Sequence, residues 1–301
     1  MIHWVGTVLC VQLQDCWCTG LRCAAPEAGT FMSAKGRVAL VTGAAGGIGS
    51  AWCRMLLDDG ASLAFVDVDG VRLESARWSL RVKYPGSKLL PLQADLSDPQ
   101  ACTAVVAEVV ETLGSVDILI NNAALGMGII RADHLTNLVG IDEVTPAHWR
   151  AMLDVNLMAA WYLTKQVVPF MKKQGWGRII TVTTSFFTML RGRMHPYGPI
   201  KAALEAMTAG HAEEFDGTGI TVNVVVPGGP TDTAMVTSVD YPDRSQLISP
   251  DAMTRPARWL CSRAADEVTR ADQQRTATKY MHRMLHNSAP LYSGLTASSQ
   301  I

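Results

Sequence analysis

Val38-Ala39-Leu40-Val41-Thr42-Gly43-Ala44-Ala45-Gly46-Gly47-Ile48-Gly49 is the stretch that decides the fold. Val38–Thr42 is a short apolar run of the kind found in a buried strand. Ile48–Asp59 follows with Ile48, Trp52, Met55 and Leu56 near helical spacing. The glycines between them allow a tight turn and a close backbone approach. A helix N-terminus at that point offers free N–H groups and a positive dipole end, which suit a diphosphate. An ordinary glycine-rich turn has the same composition; its place after the first strand and before a helix favours the nucleotide reading.

Outward from this stretch, strands and helices alternate. Ser62–Val66 reads as a strand, Val71–Val82 as a helix, Lys88–Gln93 as a strand and Pro99–Leu113 as a helix. Val116–Ile120 is a further strand, and Thr145–Met171 carries one long helical pattern with Thr145 as N-cap and Pro146 at the first helical position. Arg178–Thr183, Tyr197–Phe215 and Thr221–Val226 continue as strand, helix, strand. Continuous Val/Ile/Leu strands between helices predict a single α/β domain, doubly wound around a parallel sheet.

The chain has 301 residues, of which 48% are hydrophobic and 18% charged, enough to bury a large core. Lys and Arg number 26 and Asp and Glu 27, so there is no basic excess to hold nucleic acid or an anionic membrane. No apolar run approaches the ~18 residues of a membrane span. A soluble, cytoplasmic protein acting on a small molecule is expected. Cys53, Cys102 and Cys261 are scattered and read as small buried residues in a reducing compartment. Cys10, Cys16, Cys18 and Cys23 lack paired C-x-x-C spacing, so no metal site is expected.

Residues 1–31 show no stable period and no basic n-region before Arg22. They are expected to be a disordered leader, or sequence upstream of a natural start at Met32. The catalytic body then covers 32–269, and 270–301 forms a divergent tail.

Asp67 ends the second strand, 18 residues beyond Gly49. A carboxylate there can accept hydrogen bonds from an adenosine ribose and repel a 2′-phosphate, an effect of ~4 kcal/mol at ~4 Å and an effective dielectric near 20. Ala44, Ala45 and Gly46 bring no basic side chain against it, so NAD is expected over NADP. Tyr197 and Lys201 open a helix at i and i+4 and share a face. A nearby ammonium favours the phenolate, which suits Tyr197 to proton transfer. Tyr84 and Lys88 have the same spacing, but Pro85 and Gly86 break any helix between them. Thr183-Thr184-Ser185 close the strand before Tyr197, where a hydroxyl can bond a substrate carbonyl.

Together these residues resemble the short-chain dehydrogenase/reductase family from Arg37 to about Thr269. The resemblance implies a Rossmann-type fold and nicotinamide-dependent interconversion of a secondary alcohol and a ketone. It assigns Gly43, Gly47, Ile48 and Gly49 to the cofactor loop, and Asp95-Leu96 to the adenine. Asn122 and Ala123 lie in Asn121-Asn122-Ala123-Ala124, similar to NNAG. Pro227, Gly228 and Thr233 resemble the loop that meets the nicotinamide carboxamide. Lys201 would also bind the nicotinamide ribose, and Asn156 would link it through water to solvent. A dimer or tetramer is implied as well.

Two departures stand out. Family spacing puts the catalytic hydroxyl 13 residues before Tyr197, at Thr184, while Ser185 is one closer. Only one of the two can point at Tyr197 from a regular strand. The less hindered serine and Pro196 tilt the expectation to Ser185. Arg270 replaces a family glycine, and the apolar last strand does not follow it. Met127, Ile129, Ile130, Phe186, Phe187, Met189, Leu190, Met235 and Val236 predict an apolar substrate pocket, with Arg191, Arg193 and His195 read as solvated. The other class of function open to such a chain is a sensor or scaffold that binds NAD without turnover.

Overall fold

The computed structural model describes residues 9–10 and 34–269. The expectations for Cys16, Cys18, Cys23, Met32 and the tail from 270 lie outside those residues.

Seven strands form one sheet. They are β1 (Leu9–Cys10), β2 (Val38–Thr42), β3 (Ser62–Asp67), β4 (Leu89–Gln93), β5 (Ile118–Asn121), β6 (Gly177–Val182) and β7 (Ile220–Val226). Their order is β1-β7-β6-β5-β2-β3-β4, with every pairing parallel. The doubly wound sheet expected from the alternation is therefore present. β1 departs from the reading of 1–31 as a leader outside the fold. Its backbone lies along the outer edge of β7, Leu9 opposite Val225 and Cys10 opposite Val226. A strand edge offers a row of unpaired N–H and C=O groups, and this short piece of the leader uses part of it.

Alternate residues of each strand feed opposite layers. Ala39, Val41, Leu63, Phe65, Ile118 and Ile120 pack under α1 (Gly47–Asp58), α2 (Gly70–Lys83) and α8 (Thr254–Leu260). Val38, Leu40, Ala64, Val66 and Leu119 pack under α3 (Pro99–Leu113), α5 (Ala159–Gln174) and the end of α7 (Tyr197–Glu214). Trp52 of α1 is fully buried, and its Nε1 donates to the Met253 carbonyl at 3.1 Å, just ahead of α8. Cys53, Cys102 and Cys261 are buried free thiols, each pushed up by burial, to about 12, about 11 and about 12.

The long helix expected over Thr145–Met171 is interrupted. α4 (Pro146–Leu153) begins with Thr145 Oγ1 accepting the His148 N–H, as its N-cap role predicts. A π-helical turn over Asp154–Met158 then separates α4 from α5. Such turns widen the ladder by one residue and re-aim a side chain. Here the re-aimed residue is Asn156, described below. A short helix missed in the sequence, α6 (Phe186–Leu190), follows β6. Among the described residues no helix is long and apolar enough to cross a membrane. The strand order reverses at β2, between β3 and β5, and a crevice at the C-terminal ends of these strands is where open α/β sheets bind ligands.

Candidate active site

The glycine loop leaves β2 at Gly43, whose φ of 62° is open to glycine at little cost. A Cβ there would sit 2.9 Å from the Ala123 Cα, so the loop presses on the end of β5. Asn122 secures this contact: its Nδ2 donates to the carbonyls of Thr42 at 2.9 Å and Gly43 at 3.0 Å. Thr42 Oγ1 accepts the N–H groups of Asn122 and Ala123 in return. A Cβ at Gly47 would strike Thr233 Cγ2 at 2.7 Å, which brings the segment after β7 onto the loop. No side chain caps α1, and no acidic residue occupies its first turn. Its leading N–H groups are thus available to an anion, and the close-packed glycines leave the backbone accessible to a diphosphate. On this evidence the loop fits the dinucleotide the sequence implies. Ile48 contributes only backbone here, since its side chain belongs to the core.

Asp67 reaches the same loop. Its Oδ2 accepts the Ala45 N–H at 2.9 Å and its Oδ1 the Asp69 N–H at 3.1 Å. Asp95 is exposed and accepts the Ser97 N–H in the turn ahead of α3, while Leu96 is buried. Pro227 and Gly228 are half-buried just beyond β7.

The three hydroxyls that follow β6 have different partners. Thr183 Oγ1 donates to Glu205 Oε1 at 3.0 Å. Thr184 is the hydroxyl whose influence on the Tyr197 phenol opposes the effect of burial. Ser185 caps α6: its Oγ accepts the Thr188 N–H at 3.2 Å and contacts Thr188 Oγ1 at 3.0 Å. Against the tilt toward Ser185, that hydroxyl is engaged at the start of α6. The chain turns into α6 directly after Thr184, and the serine is the residue that the new helix end recruits.

Tyr197 and Lys201 do share a face of α7, with the Lys201 ammonium 5.8 Å from the Tyr197 ring centre. The expectation that the ammonium depresses the phenol is not met. Burial pushes Tyr197 up to about 12, opposed only by the Thr184 hydroxyl. Lys201 is 2% exposed, and its Nζ donates to the Val182 carbonyl at 2.9 Å, directed at the strand end instead of the phenol. Burial brings Lys201 down to about 8. Asn156 also differs from expectation. Its Oδ1 accepts the Leu125 N–H at 2.7 Å and its Nδ2 donates to the Leu125 carbonyl at 2.9 Å. Its amide is spent on holding the chain after β5. Asn121 Oδ1 has no partner among the described residues, and with Thr42, Asn156 and Lys201 Asn121 lines a cavity of about 10 Å³, room for one water.

The chain after β5 meets the chain after β7. Met127, Val139, Met152, Met194 and Ile200 form a separate apolar cluster against which Tyr197 packs. Gly126 leaves space for Met235, whose Cγ stands 2.5 Å from where a Cβ would be. Ile129, Phe186, Phe187 and Leu190 are exposed, as are Arg191 and Arg193. Asp240 ties the two segments together, which the sequence did not suggest. Its Oδ1 accepts the N–H groups of Leu135 and Thr136 and the Thr136 hydroxyl, and Thr237 Oγ1 bonds both Asp240 Oδ2 and the Ala132 carbonyl. His134 Nδ1 lies 3.5 Å from Asp240 Oδ2. Burial works against the Asp240 charge, but these bonds from Thr136 and Leu135 hold its carboxyl below the usual range.

The sequence profile of the short chain dehydrogenases matches residues 37–243. The chain belongs to the short-chain dehydrogenase family. Among its relatives, nodulation protein G of Azospirillum brasilense is 32% identical over 77% of this chain and 94% of its own. An acetoacetyl-CoA reductase of Cupriavidus necator is 30% identical over 78% of this chain and 95% of its own. The crystal structure of L-sorbose reductase from Gluconobacter frateurii, complexed with NADPH and L-sorbose, matches with a TM-score of 0.70 at 27% identity, over 80% of this chain and 95% of that one. This short-chain dehydrogenase is thus an enzyme of an oxidoreductase family that uses NAD or NADP, and its sheet is the Rossmann-type fold expected.

Proposed function

We propose that this enzyme interconverts a secondary alcohol and a ketone on a largely apolar small molecule, with NAD(H) the favoured cofactor. The observation that carries this reading is that Tyr197 and buried Lys201 share a face of α7, Lys201 bonding the Val182 carbonyl at the end of β6, with Thr184 just beyond that strand acting on the phenol. Two hydroxyls converging in a partly apolar site can hold one substrate oxygen between them.

The glycine loop, Asp67 and Thr233 would hold the dinucleotide, with Lys201 at its nicotinamide end. The nicotinamide supplies or accepts the hydride when bound. Tyr197 moves the proton at the substrate oxygen, and Thr184 steadies the charge that develops there. A phenol pushed up to about 12 is neutral at pH 7, the form that donates a proton to a ketone in the reductive direction, and its phenolate is the form that takes the proton back in oxidation. Asn156 acts by fixing Leu125, which borders the apolar cluster beside Tyr197. The apolar residues around Met127 and Met235 support an apolar substrate.

A panel of ketones and secondary alcohols, followed by NADH absorbance, tests the activity. Tyr197→Phe is expected to cut turnover by ~10²–10⁴-fold, the usual range for a lost general acid. NAD affinity is expected to be unchanged. Full turnover in that variant would remove Tyr197 from the chemistry, and dinucleotide binding without turnover on any substrate would favour a sensor.

A further inference from the structure

α2 is apolar on two opposite faces. Leu73 and Leu80 point into the core. On the far side Val71, Trp78 and Val82 are 83%, 67% and 68% exposed. With exposed Ser75 they form one line, spaced four, three and four residues apart. That is the spacing of a two-helix seam, in which one stripe meets a facing helix along its length. Single exposed apolar residues are ordinary, but three on one stripe of one helix mark a surface that another body covers.

The neighbouring sheet edge narrows what that body is. α2 packs over β3 and β4, and β4 ends the sheet. The Leu63 N–H donates to the Lys88 carbonyl and the Ala94 N–H to the Asp67 carbonyl. The even-numbered residues of β4 therefore face β3, and Leu89, Pro91 and Gln93 face outward. Pro91 has no N–H to give at the middle of that edge, which bars an added strand. Contact at this side of the molecule falls to the helix. Its borders match a copy of itself. Glu74 and Arg81 lie along one border of the stripe, both exposed. When two α2 helices run antiparallel about a two-fold axis, Val71 stands opposite Val82 of the second copy and Ser75 opposite Trp78, while Glu74 comes beside Arg81. Each of these meetings occurs twice, and the small serine leaves room for the indole. Glu74 holds Arg77 of its own helix at 2.6 Å, and a carboxylate accepts further donors. The other cations of α2 are turned aside: Lys83 Nζ lies 5.1 Å from the Tyr84 ring centre, and the Arg72 guanidinium reaches Gly46.

We propose that the exposed face of α2 docks on the same face of a second copy of this chain, antiparallel, with Trp78 at its centre and Glu74–Arg81 pairs along its border. A helix of 14 residues is ~21 Å long, so the contact is at the small end of specific interfaces and a Kd on the order of 10 μM is expected. An acid on the border also sets this face apart from the uniformly basic border that draws a helix to anionic lipid.

Sedimentation of the full chain from about 1 to 100 μM is expected to show a doubling of mass with a midpoint near that Kd. Trp78→Ser is expected to raise the Kd by about tenfold or more and leave the melting temperature unchanged, because the indole lies outside the core. Glu74→Arg and Arg81→Glu each set like charges along the border and are expected to weaken self-association by about tenfold. Mixing these two variants restores it, since every arginine at these positions then meets a glutamate. Mixing that fails to restore association overturns the antiparallel pairing. A mass unchanged by substitution at 74, 78 and 81 overturns the docking face. Loss of binding to phosphatidylglycerol vesicles in Trp78→Ser, with no change in mass, assigns the face to a membrane and likewise overturns the proposal. None of these readouts involves turnover, so the enzyme reading is tested separately.

Discussion

Lys201 buries its ammonium against the carbonyl of Val182, 2.9 Å away at the end of β6. Burial brings its pKa down to about 8, from ~10.4 in an unfolded chain. Below about 8 both states hold the proton and the full cost of burying the charge is present. Between about 8 and 10.4 the folded state has released a proton that the unfolded state still binds, so stability rises with pH. The gap corresponds to about 3 kcal/mol. Lys201→Met removes that titration and leaves the Val182 carbonyl without its donor, a loss of about 1 kcal/mol. The variant should melt higher than the wild type at pH 7, and the gain should vanish or reverse by pH 10. A gain that is the same at both pH values would contradict the buried charge. Tyr197, raised to about 12 chiefly by burial, adds the opposite slope only above pH 10.

Thr184 and Ser185 are expected to respond differently. Thr184→Val keeps the shape and removes the hydroxyl that meets Tyr197, so turnover should fall by ~10²-fold with little change in melting temperature. Ser185→Ala removes the cap of α6 and should lower stability by about 1 kcal/mol, with the smaller kinetic effect. Steady-state kinetics and thermal melts on both variants separate the roles, and the reverse kinetic order would restore Ser185.

Asp240 is buried at 6% exposure and satisfies three donors from Leu135 and Thr136. Asp240→Ala strands those donors, and a cost of about 3 kcal/mol is expected in denaturant unfolding. The segments it ties border the substrate side, so KM for the ketone should rise while the Kd for the dinucleotide holds. Equal losses in both constants would mean that the tie supports the whole crevice.

A chain that starts at Met32 should fold and bind the dinucleotide. It loses β1, but two paired residues are a small part of a sheet whose other strands run to 7 residues. The melting temperature should fall by less than about 4 °C, the shift that ~1 kcal/mol makes in a domain of this size. A larger fall would show that more of residues 1–31 packs on the body.

The sequence by itself determined the alternation of elements, the glycine turn and the Tyr197–Lys201 face. Each is written in spacing over a few residues: continuous apolar runs for strands, a 3.6-residue period for helices, and i, i+4 for a shared face. Pro99–Leu113 emerges with the expected limits for that reason. What needed the tertiary structure was every choice between neighbours and every contact across the sheet. Thr184 and Ser185 differ by one position, and the start of α6 decides which of them is free to meet Tyr197. The periodic run through Asn156 conceals a π turn, and the partner of Asn156 within it is Leu125, 31 residues away. Asp240 meets Thr136 across 104 residues, and Arg72 meets Gly46 only because β3 pairs with β2 and carries α2 to the glycine loop. Local periods record which residues turn inward. Which distant side chains then face one another depends on strand order and packing, and no spacing along the chain encodes it.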